Sequence, residues 1–140
     1  MTYELAIHQK PTYLHAVVTG RNSRENVQRY LEELLQECSA RNCFRVLIEE
    51  RLEGPRLQTV DVFEIVMEGS RNARNTLSAI AYVDVNATSE LMHFAETVAF
   101  NRGLRVAVLP TVAEAERWLI ADDRAATGPG EAGDAGVPQR

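Results

Sequence analysis

No run of apolar residues in this chain approaches the ~20 that a helix needs to cross a bilayer. The start, Met1-Thr2-Tyr3-Glu4, lacks the basic and then apolar order of a secretory leader. A cytoplasmic protein with no membrane span is therefore expected. Cysteine is scarce: Cys38 and Cys43 are the only two, at a spacing that fits no zinc motif and with no histidine near them in sequence. Two buried structural thiols are expected rather than a disulfide. Lysine is scarcer, Lys10 being the one lysine among 15 basic residues. Against 20 acids this leaves a net charge of −5, which argues against nucleic acid as a general partner. Catalytic signatures are missing too. There is no Gly-x-x-x-x-Gly-Lys phosphate loop, no Gly-x-Gly-x-x-Gly turn and no Gly-x-Ser-x-Gly elbow. A non-enzymatic protein without a cofactor is the expectation.

What is present is the material of one ordinary globular domain: 140 residues, 45% of them hydrophobic and 25% charged. The chain is organised around residues 44–67. Val46-Leu47-Ile48 is an unbroken apolar run, the pattern of a central strand covered on both faces. Glu49-Glu50-Arg51 then brings abrupt polarity, and Leu52-Glu53-Gly54-Pro55 makes a turn. Thr59 is placed to cap a helix whose apolar face is Val60, Phe63, Ile65, Val66 and Met67. In open α/β sheets, ligands and partners meet the protein at such strand-to-helix turns.

Before this stretch, residues 3–8 alternate as a half-buried strand, and Tyr13 to Thr19 reads as its hairpin partner, ended by Gly20. Asn22 or Ser23 caps the next helix, with Asn22 and Glu25 as a capping-box variant. Val27, Tyr30, Leu31, Leu34, Leu35 and Cys38 form its continuous apolar stripe. After the Thr59 helix, Gly69 and the polar residues 70–75 weaken the helical pattern. A strand over Leu77 to Val85 follows, then a helix capped by Thr88 or Ser89 with Leu91, Phe94, Ala95, Val98 and Ala99 inward. Gly103 stops it in the left-handed conformation. Leu104 to Leu109 is the last strand, and Thr111 to Glu114 is a capping box that opens a short final helix through Leu119. Residues 1–121 make the domain. Residues 122–140, Gly- and Pro-rich with no large apolar residue after Ala125, read as a disordered tail.

The predicted order is β-β-α-β-α-β-α-β-α, an α/β fold with a mixed sheet of about five strands and four helices. Parallel pairing with right-handed crossovers is expected from the second strand onward, with the first strand antiparallel at or near an edge. Glu49, Glu50 and Asp84 fall near strand ends, where a magnesium-type cluster would need them to converge. Alternation sends Glu49 and Glu50 to opposite faces, so solvated charges partnered by Arg51 are expected instead. His8, His15 and His93 read as structural or surface residues, since metal sites need three or four convergent ligands.

At Val46 to Met67, and again at Ala115-Glu116-Arg117-Trp118-Leu119, the chain resembles a SpoIIAA-like domain of the STAS group, over roughly residues 3–121. The resemblance implies a non-catalytic, partner-binding module of the anti-sigma-factor-antagonist type. Regulated members carry a phosphorylatable Ser or Thr where a strand turns into the second helix, within an Asp-Ser-Ser-Gly-type motif. Here that turn reads Glu53-Gly54-Pro55-Arg56-Leu57-Gln58-Thr59-Val60-Asp61, without the motif. Thr59 is the one hydroxyl there, a helix cap and the candidate phosphoacceptor. The expected working surface is Glu49, Glu50, Arg51, Arg56, Thr59 and Asp61, facing a protein partner or a second copy of the chain. Some SpoIIAA-like proteins are grouped with CRAL-TRIO lipid carriers, which implies an alternative: a small apolar ligand held between sheet and helices. A cavity of roughly 300 Å³ or more, lined by Phe63, Met67, Phe94 or Met92, would favour it.

Overall fold

The computed structural model describes residues 2–73, 77–84 and 90–127, with the side chains of 73 and 123–127 left aside. The elements run β1 (Tyr3–Gln9), β2 (Leu14–Arg21), α1 (Arg24–Arg41), β3 (Arg45–Glu53), α2 (Thr59–Ala73), β4 (Ala79–Val83), α3 (Glu90–Asn101), β5 (Val106–Leu109) and α4 (Val112–Thr127). They form one five-stranded sheet in the order β1-β2-β3-β4-β5, in which β1 pairs antiparallel with β2 and every later pair is parallel. The order of elements and the sense of pairing are those expected from the sequence.

Each parallel step moves the same way across the sheet, so right-handed crossovers put their helices on one face. Val27, Tyr30 and Leu34 of α1, Ile65 of α2 and Ala99 of α3 accordingly share a core with Leu14, Ala16, Val18, Val46, Ile48 and Ile80. Among the described helices α4 alone covers the opposite face, where Ala115 and Leu119 pack on Leu47, Ala79, Ala81 and Val83. Strand β3 is thus read on both sides: Val46, Ile48 and Glu50 toward α1–α3, Leu47 and Glu49 toward α4.

Several boundaries move. Gly20 does not end its strand. It lies inside β2 at φ 126°, where a Cβ would stand 2.6 Å from the Thr2 carbonyl oxygen, so glycine lets the hairpin close. Ser23, not Asn22, caps α1: its hydroxyl accepts from the Asn26 N–H, while the Asn22 side chain donates to the Pro55 carbonyl. Strand β3 continues three residues past Glu50 because Val18 to Arg21 of β2 pair with Glu50 to Glu53. Helix α2 makes its first bond from the Val62 N–H to the Gln58 carbonyl, so Thr59 is already helical rather than the cap.

The inward residues of α2 are Ile65 and Ser70, with Val66 and Gly69 half-buried between them, whereas Val60 and Phe63 are 57% and 41% exposed. Phe63 instead meets Phe94, ring centroids 6.2 Å apart, and Met92 takes the inward place on α3 expected of Phe94. Gly69 does not break α2, which runs on to Ala73. Thr88 and Ser89, and the tail beyond Thr127, lie outside the described residues. Both cysteines are free, Cys38 buried and Cys43 half-buried. Asn42 and Gly103 take left-handed conformations after α1 and α3.

The final helix is not short. Thr111 caps it as expected, accepting from the Glu114 N–H at 3.2 Å, but α4 has 16 residues. The boundary drawn at residue 121 falls inside it. Asp122 receives Arg45 at 2.8 Å and Arg105 at 2.7 Å, while Arg45 also donates to the Leu119 carbonyl, so the middle of α4 is pinned to the starts of β3 and β5. Ending the chain after residue 127 should therefore leave the Tm unchanged. Asp122→Ala should cost about 2–3 kcal/mol in urea unfolding, because the half-buried Arg45 loses its carboxylate.

Candidate functional site

Glu49 and Glu50, adjacent in sequence, end in unlike surroundings because β3 sends them to opposite faces. Glu49 is 8% exposed on the α4 side, where its carboxylate meets the His15 Nε2 at 2.8 Å and accepts from the Arg51 Nε at 2.7 Å. Burial pushes this carboxyl up, but the bonds from Arg51 and His15 outweigh it and hold it below the ordinary carboxylate value. His8 stands edge-on to His15, ring centroids 6.0 Å apart. Among the described residues no group of three or more His, Cys, Asp or Glu could hold a metal ion.

Glu50 faces the three helices. Tyr30, fully buried on α1, donates its hydroxyl to the Glu50 carboxylate at 2.6 Å, and Tyr82 of β4 bonds the same carboxylate. The two hydroxyls lie 3.4 Å apart. Burial raises Glu50 above its ordinary value and nearby Asp84 adds to this, against the two phenols and Arg56, which lower it. Burial, and then Glu50, push both phenols well above theirs, so they remain protonated donors. Of the acids expected to be solvated at strand ends, Glu49 keeps its expected partner Arg51 but is buried, Glu50 is held by the two phenols, and Asp84 lies 3.9 Å from Arg56.

Glu50 and Tyr82 of this cluster stand at one end of a cavity of about 180 Å³ between the sheet and α1, α2 and α3, with Tyr30 behind them. Asn22, Arg56 and Asp84 complete the polar end; Arg56 stands 3.9 Å from Asp84. Most of the remaining wall is aliphatic, from residues such as Leu31, Leu35, Ile48, Ile65 and Ile80. Space remains because the inward positions of α2 and α3 carry Gly69, Ser70, Ala95 and Ala99, too small to fill it at interior density. The cavity is smaller than the volume set for a lipid-type site, and of Phe63, Met67, Phe94 and Met92 only Met92 lines it. Ser70, 2% exposed, also lines it, and its hydroxyl has no hydrogen-bond partner among the described residues.

The residues expected to form one surface are therefore divided. Glu50 and Arg56 border the cavity; Glu49 and Arg51 pair on the far face. Thr59 is exposed at the start of α2, and Asp61 lies 3.9 Å from Arg24, which also meets Glu64 at 2.8 Å. Sequence reasoning missed Tyr30, Tyr82 and Ser70 as site residues. Strand parity carried the signal: Glu50 shares its face with Val46 and Ile48, and Tyr82 with Ile80.

Chemically, the cavity offers the Tyr82 phenol, a Glu50 carboxyl that burial raises above its ordinary value, and an apolar shaft. Among the described residues no His, Lys or Cys stands on its wall.

The chain matches no protein-family model and no curated protein.

Glu49 yields a pH prediction. A carboxyl held low in the fold adds stability above its unfolded value, near 4.5, and loses it as the pH falls through the folded value. Glu49→Gln should thus cost about 1–3 kcal/mol at neutral pH. The gap to wild type should close in acid, as followed by denaturant unfolding across pH. A gap that stays constant would mean that ionised Glu49 is not what holds His15 and Arg51.

Proposed function

We propose that this chain is a non-enzymatic binding module that holds a small, largely apolar ligand between its sheet and helices α1, α2 and α3. The observation that carries this reading is the cavity of about 180 Å³, mostly aliphatic along its length, with Glu50, Arg56 and Asp84 at one end. Pockets of this make-up are where soluble proteins take small molecules. The volume suits a ligand of about the size of benzene or somewhat larger rather than a full lipid, since engineered apolar cavities of roughly 150 Å³ take benzene. Toluene, followed by amide chemical shifts, should bind wild type saturably and move Ile48, Ile80 and Ala95. Ala95→Leu, which puts carbon into the same space, should keep the fold and abolish the binding. Toluene shifts absent from wild type, or unchanged in Ala95→Leu, would end this reading.

A second reading rests on Thr59. It is exposed in the first turn of α2, beside Val60 and near the Phe63–Phe94 pair, which leaves an apolar patch open around a hydroxyl. This supports the regulatory, partner-binding role that the resemblance to STAS domains implies, with Thr59 as its phosphoacceptor. Negative charge in a first helical turn is favourable, by about 0.3–1 kcal/mol. Thr59→Asp should therefore fold as well as wild type yet retrieve fewer protein partners from lysate. Equal retrieval by the two would remove Thr59 as a switch and leave the ligand-binding reading alone.

A further inference from the structure

The two ends of the cavity describe the molecule that fits it. At the strand carboxyl ends, the charged residues on the wall are Glu50, Asp84 and Arg56, with Glu96 further along. Three acids against one cation make the lining net negative. Glu96 is engaged, accepting the Val108 N–H at 2.8 Å, and Arg56 is on the side of Asp84 at 3.9 Å. An anionic head group placed here would meet Glu50 across a low-dielectric space, where like charges repel strongly. A protonated amine would find the Glu50 carboxylate instead, already oriented by Tyr30 and Tyr82.

The other end is marked by Ser70, about three helical turns from Thr59 along α2. A hydroxyl buried to 2% exposure without a partner costs stability, and replacing it by Ala would relieve that cost. An occupant that brings its own hydrogen-bonding atom to this point would satisfy it. Along β4, from Ile80 to Asp84, the wall spans four residue steps, or about 13 Å. A volume of about 180 Å³ spread over that length makes the space narrow.

Resting on the ligand-binding reading above, we infer that the occupant is an elongated aliphatic amine, its ammonium at Glu50 and Asp84 and a second hydrogen-bonding group at Ser70. The aliphatic shaft lies against Ile48, Ile65 and Ile80. Fatty acids of the same length are excluded by the acids at the polar end.

Calorimetry and amide shifts with three six-carbon probes, matched in size to toluene, test this on the intact chain. Hexylamine should bind at least tenfold more tightly than hexanoate. Glu50→Gln, and independently Asp84→Asn, should narrow that ratio. 6-Amino-1-hexanol should bind wild type several-fold more tightly than hexylamine, and Ser70→Ala should erase that advantage while raising the Tm. Hexanoate binding as well as hexylamine, or an advantage of the amino alcohol that survives in Ser70→Ala, would overturn the inference. Toluene separates the two levels. If toluene binds and hexylamine does not, the amine assignment fails and the cavity remains a ligand site; if neither binds, both fail.

Discussion

Everything in this molecule follows from four parallel strands laid down in sequence order without a reversal. Because each crossover turns the same way, α1, α2 and α3 crowd one face of the sheet and α4 is left to cover the other. Such a sheet has no point where the strand order turns back, which is where doubly wound proteins open their binding crevice. Any internal space has to come from the helix layer itself. Here it comes from small residues on the inward faces of α2 and α3, chiefly Gly69, Ser70, Ala95 and Ala99.

The same arrangement makes β3 a partition. Its neighbours β2 and β4 both pair with it in parallel, so its acids stay in the ladder or beside it rather than at a frayed end. Glu49 is stabilised as an anion by His15 and Arg51. Glu50, one residue on, sits where burial works against its charge and two phenols partly offset the cost. Two identical side chains acquire opposite electrostatic characters from a single pleat.

Much of this was legible in the sequence. Alternation in residues 3–8, the apolar run at Val46 to Ile48 and the stripe from Val27 to Cys38 each carry a strong period, and the order and pairing sense of the elements followed from them. Boundaries and faces were harder. Thr59 reads as a cap because hydroxyls favour that place, but the first α2 bond reaches back to Gln58. Phe63 and Val60 read as core because they are large and apolar; the inward face of α2 instead carries Gly69 and Ser70, whose small size hides a helical stripe from any hydrophobicity pattern. The site was half legible: Glu50 and Arg56 were singled out, while Tyr30 and Tyr82 looked like ordinary core aromatics until tertiary packing brought their hydroxyls together. Asp122 looked like tail because composition changes just after it, and only the fold reveals Arg45 and Arg105 waiting for it.

Gly20 has a bearing on how such a chain can diverge. Its backbone is in a conformation that L side chains rarely adopt, and a Cβ would press on the Thr2 carbonyl at 2.6 Å. Substitution there strains the strand and pushes the first strand away together, two penalties that no single compensating change elsewhere removes. Cavity positions such as Ala95 and Ala99 carry no comparable backbone constraint. Over evolutionary time the hairpin should therefore hold its glycine while the wall residues drift, so that descendants of one scaffold could come to suit different occupants without altering the frame that holds them.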